Sequence, residues 1–219
     1  MRSYTFPDRN AAGQAVAREL SRYAGRNDVV VLALPRGGLP VGFEIARALH
    51  APMDVFLVRK LGVPQYEELA MGAIASGGVR VINESVVESL GLTPDQIEET
   101  ARREQRELDR REKAFRNGRP PVTITGRIAI LVDDGLATGS TMRAAVEALK
   151  KQKPSRIVVA VPVASPETCA EFEQLVHEVI CLYTPEPFMA VGRWYDDFAQ
   201  LTDEEVREYL ERATHEMAH

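Results

Sequence analysis

The run Ile128 to Thr141, IAILVDDGLATGST, constrains this chain more than any other stretch. Apolar residues from Ile128 to Val132 stop at adjacent carboxylates, Asp133 and Asp134, followed by Gly135, Leu136, Ala137, Thr138, Gly139, Ser140 and Thr141 before a helical pattern begins. A continuous apolar run of this length reads as a buried strand, and the small residues behind it as a turn into a helix N-terminus. Glycines and small side chains let successive backbone N–H groups close around an anion, with the next helix aimed at the same point. The loop therefore reads as a phosphate cradle. Carboxylates cannot share that phosphate, so Asp133 and Asp134 must face a sugar diol or a hydrated cation beside it. A sugar phosphate is the expected ligand. No lysine follows Gly139, so the loop lacks the charge a nucleotide P-loop requires.

The chain has 219 residues, 45% of them hydrophobic, which suffices for one core with a small lid. A net charge of -5 gives no bulk attraction for nucleic acid. Cys169 and Cys181 are too few for a disulfide framework and too far apart for a CxxC pair, so buried free thiols are expected. His50, His177, His215 and His219 show no metal-ligand spacing, and no protein metal cage is expected. The opening MRSYTFPDRN lacks a charged-then-apolar signal pattern and no apolar run approaches a membrane span. A cytoplasmic protein with no membrane partner is the expectation.

Strand and helix patterns alternate along the chain. Asp8 caps a pattern carrying Ala12, Val16, Ala17, Leu20 and Tyr23, and Asp28 to Leu34 is a continuous apolar strand ending in PRGGLP. A helix follows from Pro40 to Leu49, then a strand from Asp54 to Val58 that delivers Arg59 and Lys60 to its end. Gly62 to Leu69 reads as a polar loop, and Ala70 to Ala75 with Val79 to Ile82 as a hairpin about Gly77 and Gly78. Thr93-Pro94-Asp95-Gln96 opens a helix to about Asn117 whose charged interior predicts a solvated face. After the Ile128 strand and its helix to Lys151 come a strand at Arg156 to Val163, a helix from Ser165 to about Leu175 and a strand at Glu178 to Leu182. Thr202-Asp203-Glu204-Glu205 opens a closing helix to about Met217. This alternation predicts an α/β fold with a mostly parallel, twisted sheet flanked by helices, in one domain spanning residues 1–219.

VDDGLATGST resembles the phosphoribosyl-diphosphate (PRPP) motif of type I phosphoribosyltransferases. GLPVGFEIA, VRKLG, ELAMGAIASGG and VGRWYDDF are similar to a group of bacterial predicted phosphoribosyltransferases. The resemblance implies the type I phosphoribosyltransferase fold, with a flexible loop or hairpin near 62–82 and a hood from 184–201. It implies transfer of a 5-phosphoribosyl group from PRPP to a nucleobase-like, purine-type acceptor with release of diphosphate, a nucleotide-salvage reaction that uses Mg2+. Arg36, Gly37 and Gly38 would hold the diphosphate together with Arg59 and Lys60, with an unusual peptide geometry in the turn. Asp133 and Asp134 would bond the ribose hydroxyls, while the backbone from Gly135 through Leu136, Ala137, Thr138, Gly139, Ser140 and Thr141 would bind the 5-phosphate. The catalytic set implied is Asp133, Asp134, Arg36 and Lys60, and Trp194 is the expected stacking surface for the acceptor ring. Members using 6-oxopurines commonly carry Asp where this chain has Ala137, which favours an adenine-type loop. The other reading is a non-catalytic PRPP-sensing regulator. A homodimer is an assembly compatible with either.

Overall fold

The structure is a computed structural model that describes residues 5–64 and 66–216, with the side chain of Glu67 outside the description. Five strands, β1 (Val29–Ala33), β2 (Met53–Val55), β6 (Ile128–Val132), β7 (Arg156–Val163) and β8 (Glu178–Tyr183), form a wholly parallel sheet in the order β2-β1-β6-β7-β8. Every residue of β1 and β6 is buried, as their unbroken apolar runs require of strands covered on both faces. Alternation divides them: Val29, Val31 and Ala33 face one core, and Val30, Leu32 and Leu34 face the other.

The first core is closed by α1 (Arg9–Glu19), α2 (Gly38–Leu49), α4 (Pro94–Arg116) and α7 (Asp203–Glu216), through Val16, Phe43, Leu108 and Leu210. The second is closed by α5 (Ser140–Lys151) and α6 (Pro166–Glu173), through Met142, Val146 and Phe172. Met217, expected as the end of α7, lies outside the described residues.

A second sheet of three antiparallel strands, β3 (Val58–Val63), β4 (Tyr66–Ala75) and β5 (Val79–Ile82), stands apart from the first. Of the expected loop, residues 62–63 and 66–69 are strand and Gln65 lies outside the described residues, with register shifts at Leu61/Gly62 and Gly62/Val63 that bend the ribbon. Arg59 and Lys60 do not end β2 either. The parallel strand stops at Val55, and both residues belong to β3. A helix that the apolar pattern had not announced, α3 (Glu84–Leu90), follows β5 and is capped by Asn83.

Helix α4 has the full capping box at Thr93 and Gln96, with Pro94 in its first turn. Its charge-rich interior is not solvated all round. Ala101, Glu104, Leu108 and Phe115 are buried along one stripe, while Arg102, Arg110 and Arg111 carry exposed ion pairs on the other side. At its end Arg116 is buried against Asp54, whose carboxylate accepts from Arg116 Nε and from the Val55 and Val122 N–H groups. Such a pair is tolerable only because its oxygens are met by several donors.

The expectation of free thiols fails. Cys169 on α6 and Cys181 on β8 form a disulfide with Cα atoms 6.4 Å apart. Strand and packed helix bring together residues separated by 12 positions, within the usual Cα reach of a disulfide.

Candidate active site

The strand order reverses between β1 and β6: the chain steps from β1 to β2 on one side and from β6 to β7 and β8 on the other. In open parallel sheets a crevice forms at this point, beyond the carboxyl ends of the strands. Ala33 pairs with Val132 and the Leu34 N–H donates to the Val132 carbonyl at 2.8 Å, so the PRGG turn and the acidic pair emerge side by side.

The Pro35–Arg36 peptide is cis, and the turn runs directly into α2. A β-carbon at Gly38 would lie 2.7 Å from the Val132 carbonyl oxygen, and one at Gly37 would lie 2.0 Å from Asp134 Oδ2. Glycine is required here by the closeness of the neighbouring strand end, since Gly37 itself has an ordinary φ of -61. Arg36 Nη1 donates to the Leu201 carbonyl at 3.1 Å and Nε pairs with Asp203 at 2.9 Å. Both partners of that pair are more than one-third exposed, so the ion pair is weak and can yield to a stronger anion.

Asp133 and Asp134 lie between the two turns. Asp133 Oδ1 accepts from the Asp134 N–H at 2.9 Å, and Asp134 Oδ2 accepts from Arg9 Nε at 2.8 Å. Burial raises the Asp133 carboxyl well above the usual carboxylate range, and the neighbouring Asp134 charge adds to it. Asp134 is also raised by burial, but the Arg9 guanidinium opposes the rise. One cation, Arg9, thus lies beside two adjacent, partly buried acids and pairs directly with Asp134.

Behind the acids, the loop is braced from the end of β7 and from α6. Leu136 donates its N–H to the Val163 carbonyl at 2.9 Å, and Thr168 Oγ1 donates to the Ala137 carbonyl at 2.6 Å. Gly139 adopts φ +67, and a β-carbon there would strike Phe172 and Thr168 at 2.7 and 2.8 Å. Ala137, Thr138, Ser140 and Thr141 line the outer side of the loop, and Thr138 Oγ1 is 3.2 Å from Ser140 Oγ at the start of α5. The result is a rigid rim with hydroxyls and a helix N-terminus open to an anion.

The remaining expected residues are dispersed. Arg59 is engaged by Glu104 of α4 at 2.6 Å. Lys60 is exposed and lines a groove of about 640 Å³ that also includes Ser140 and Arg143, on the α5 side of the phosphate loop. Trp194 packs edge-on against Tyr183, with centroids 5.4 Å apart, beside a small cluster of Phe6, Ala12, Val163 and Tyr195.

Two contributors had no signal in the loop pattern. Tyr195 is buried and its hydroxyl donates to the Asp134 carbonyl at 2.6 Å. Arg9, only 8% exposed, pairs with Asp134 from the first turn of α1. A cation opposes the helix dipole at that position, and this was the available hint that it serves a partner elsewhere.

Residues 5–186 match the phosphoribosyl transferase domain family, and the chain belongs to that family. It is 46% identical over 213 residues to a provisionally named phosphoribosyl transferase of Mycobacterium tuberculosis, covering 97% of this chain and 48% of that protein. The chain thus spans about half the length of these curated relatives. The crystal structure of TT1426 from Thermus thermophilus is similar over 95% of this chain and 98% of that one, with 41% identity and a TM-score of 0.84. The bifunctional protein PyrR of Chloroflexus aurantiacus is 34% identical over 124 residues, 55% of this chain and 62% of that protein.

Among the described residues no helix is long and apolar enough to cross a membrane. No group of three or more His, Cys, Asp or Glu residues is placed to hold a metal among them. Mg2+ is commonly held through one or two carboxylates with ligand oxygens and water, and Asp133 and Asp134 are two adjacent carboxylates at the crevice.

Proposed function

We propose that this crevice binds PRPP and transfers its phosphoribosyl group to a nucleobase-like acceptor, releasing diphosphate. The observation that carries this reading is the juxtaposition, across one strand pair, of a glycine turn bearing Arg36 and a phosphate loop, with Asp133 and Asp134 between them. The loop from Gly135 to Thr141 receives the 5-phosphate, the acids accept from the ribose 2- and 3-hydroxyls, and Arg36 with the Gly37 turn takes the diphosphate, Gly38 serving by its close approach to β6 while its N–H donates to the Leu34 carbonyl. Arg59 leaves the diphosphate set, being committed to Glu104, while Lys60 reaches the groove beside Ser140.

In the transfer, the bond from the anomeric carbon to diphosphate oxygen breaks and takes its electron pair with the leaving group. A bond from an acceptor nitrogen forms on the opposite face, and the acceptor's proton passes to solvent or a base. The protein's part is to fix both phosphates, stabilise charge on the departing oxygen through Arg36 and exclude water. Bound Mg2+, held by ligand oxygens and mostly through water on the protein side, would neutralise part of the diphosphate charge.

The test is diphosphate release from PRPP and Mg2+ with a panel of bases. Release is expected with an adenine-type acceptor in preference to hypoxanthine or guanine, because Ala137 supplies no carboxylate for an oxopurine nitrogen. PRPP that binds but turns over with no acceptor would favour the sensing regulator instead.

A further inference from the structure

We infer that Arg9 is a positioning residue that ties the ribose-side acid Asp134 to the hood, so that PRPP occupancy orders the acceptor side of the crevice. This rests on the reading of the crevice as a PRPP site. The guanidinium is shared between two segments far apart in the chain: Nε donates to Asp134 Oδ2 at 2.8 Å, and Nη1 donates to the Ala199 carbonyl at 2.8 Å. Its central carbon sits 3.9 Å from the Phe198 ring centroid and 6.0 Å from that of Tyr195. Tyr195 in turn returns to the same acid through its hydroxyl on the Asp134 carbonyl. Acid, hood backbone and hood aromatics therefore meet on one buried cation.

The hood is irregular and is held by contacts to other segments. Between β8 and α7 its regular structure is a short 3-10 turn at Val191–Trp194. It rests on the segment leading into α1: the Phe6 N–H donates to the Trp194 carbonyl, and the Asp196 and Asp197 N–H groups donate to the Phe6 and Pro7 carbonyls. Arg9 and Tyr195 are where this seam reaches Asp134, Arg9 at the carboxylate and Tyr195 at the backbone carbonyl. A planar guanidinium can donate in two fixed directions while stacking on a ring, and an ammonium cannot reproduce that fork. Asp134 also packs against Gly37, so a ligand that fixes this carboxylate fixes the diphosphate turn and, through Arg9, the Ala199 carbonyl.

The experiment measures hydrogen exchange across residues 184–201 in the wild-type chain, Arg9→Lys and Arg9→Met, with and without PRPP and Mg2+. PRPP affinity is taken by calorimetry on the same samples. PRPP should slow exchange in the wild-type hood. Arg9→Lys keeps a cation beside Asp134 and should bind PRPP within about threefold of wild type while losing that slowing, and Arg9→Met should bind at least about tenfold more weakly. Phe198→Leu, at a residue 37% exposed, removes the ring that stacks on Arg9 and on Tyr195 and should also reduce the slowing, even where Arg9→Met fails to fold. Equal slowing in Arg9→Lys and wild type, or a wild-type hood unaffected by bound PRPP, overturns the inference alone. A wild-type chain that does not bind PRPP overturns the proposed function and this inference with it.

Discussion

Gly37→Ala should reduce PRPP affinity by about a hundredfold or more, roughly 2.7 kcal/mol. The added methyl would stand 2.0 Å from Asp134 Oδ2 and 2.5 Å from its Cγ, distances at which something must move. If the carboxylate moves, it leaves Arg9; if the turn moves, Arg36 leaves the proposed diphosphate position. Either displacement damages both halves of the crevice at once. The atoms the methyl would strike belong to Asp134, which lies outside every strand, so the variant should fold and melt as a single species. Calorimetric titration with PRPP and Mg2+ checks it, and an affinity within a few-fold of wild type would show that the turn and the acid do not share a ligand.

Asp133→Asn should have opposite effects on stability and on binding. Burial and the Asp134 charge raise the Asp133 carboxyl in the folded chain, so over the window from the unfolded value near ~3.9 up to the raised folded value, the native state holds more protons than the unfolded state. Stability of the ligand-free protein from this group therefore falls as pH rises through that window. Other carboxylates run the other way, with Glu98 lowered by Arg80 and Glu205 by the Thr202 N–H, so the comparison must be wild type against variant at each pH. Asparagine keeps an oxygen for the Asp134 N–H and removes the buried charge. At neutral pH it should gain on the order of 1 kcal/mol, about 2–4 °C in melting temperature, and the gain should vanish toward acid pH. PRPP affinity should fall by about tenfold or more. A variant that melts lower than wild type at neutral pH would mean that the acid is already compensated in the free protein.

The central sheet was legible because its strands are unbroken apolar runs, and the helix starts because Thr93-Pro94-Asp95-Gln96 and Thr202 to Glu205 carry their own capping chemistry. The carboxyl-end turns were legible for the same local reason: their glycines and acids interrupt such runs. What failed was non-local. DVFLVRK reads as one strand, and nothing in its period marks that the chain leaves the parallel sheet at Val55 and joins another at Val58. Gly62, Pro64 and the following acids suggested a loop because they suit strands poorly, and the register shifts around Gly62 erase the alternation that would have revealed the ribbon. Arg9 lies 125 positions from Asp134, and Cys169 meets Cys181 only because α6 packs on β8. The buried stripe of α4 is mostly small or charged, Ala101, Glu104 and Arg116 among its members, and so was hidden in a charge-rich segment.

The central claim is that Asp133 and Asp134 face a ribose between two phosphate-binding turns. It is tested most directly by titrating PRPP with Mg2+ into the wild-type chain and into Asp133→Ala/Asp134→Ala by calorimetry, after circular dichroism has established that both are folded. The expected result is saturable binding to the wild type and an affinity lower by at least about a hundredfold in the double variant. Equal binding by the two proteins would contradict the account.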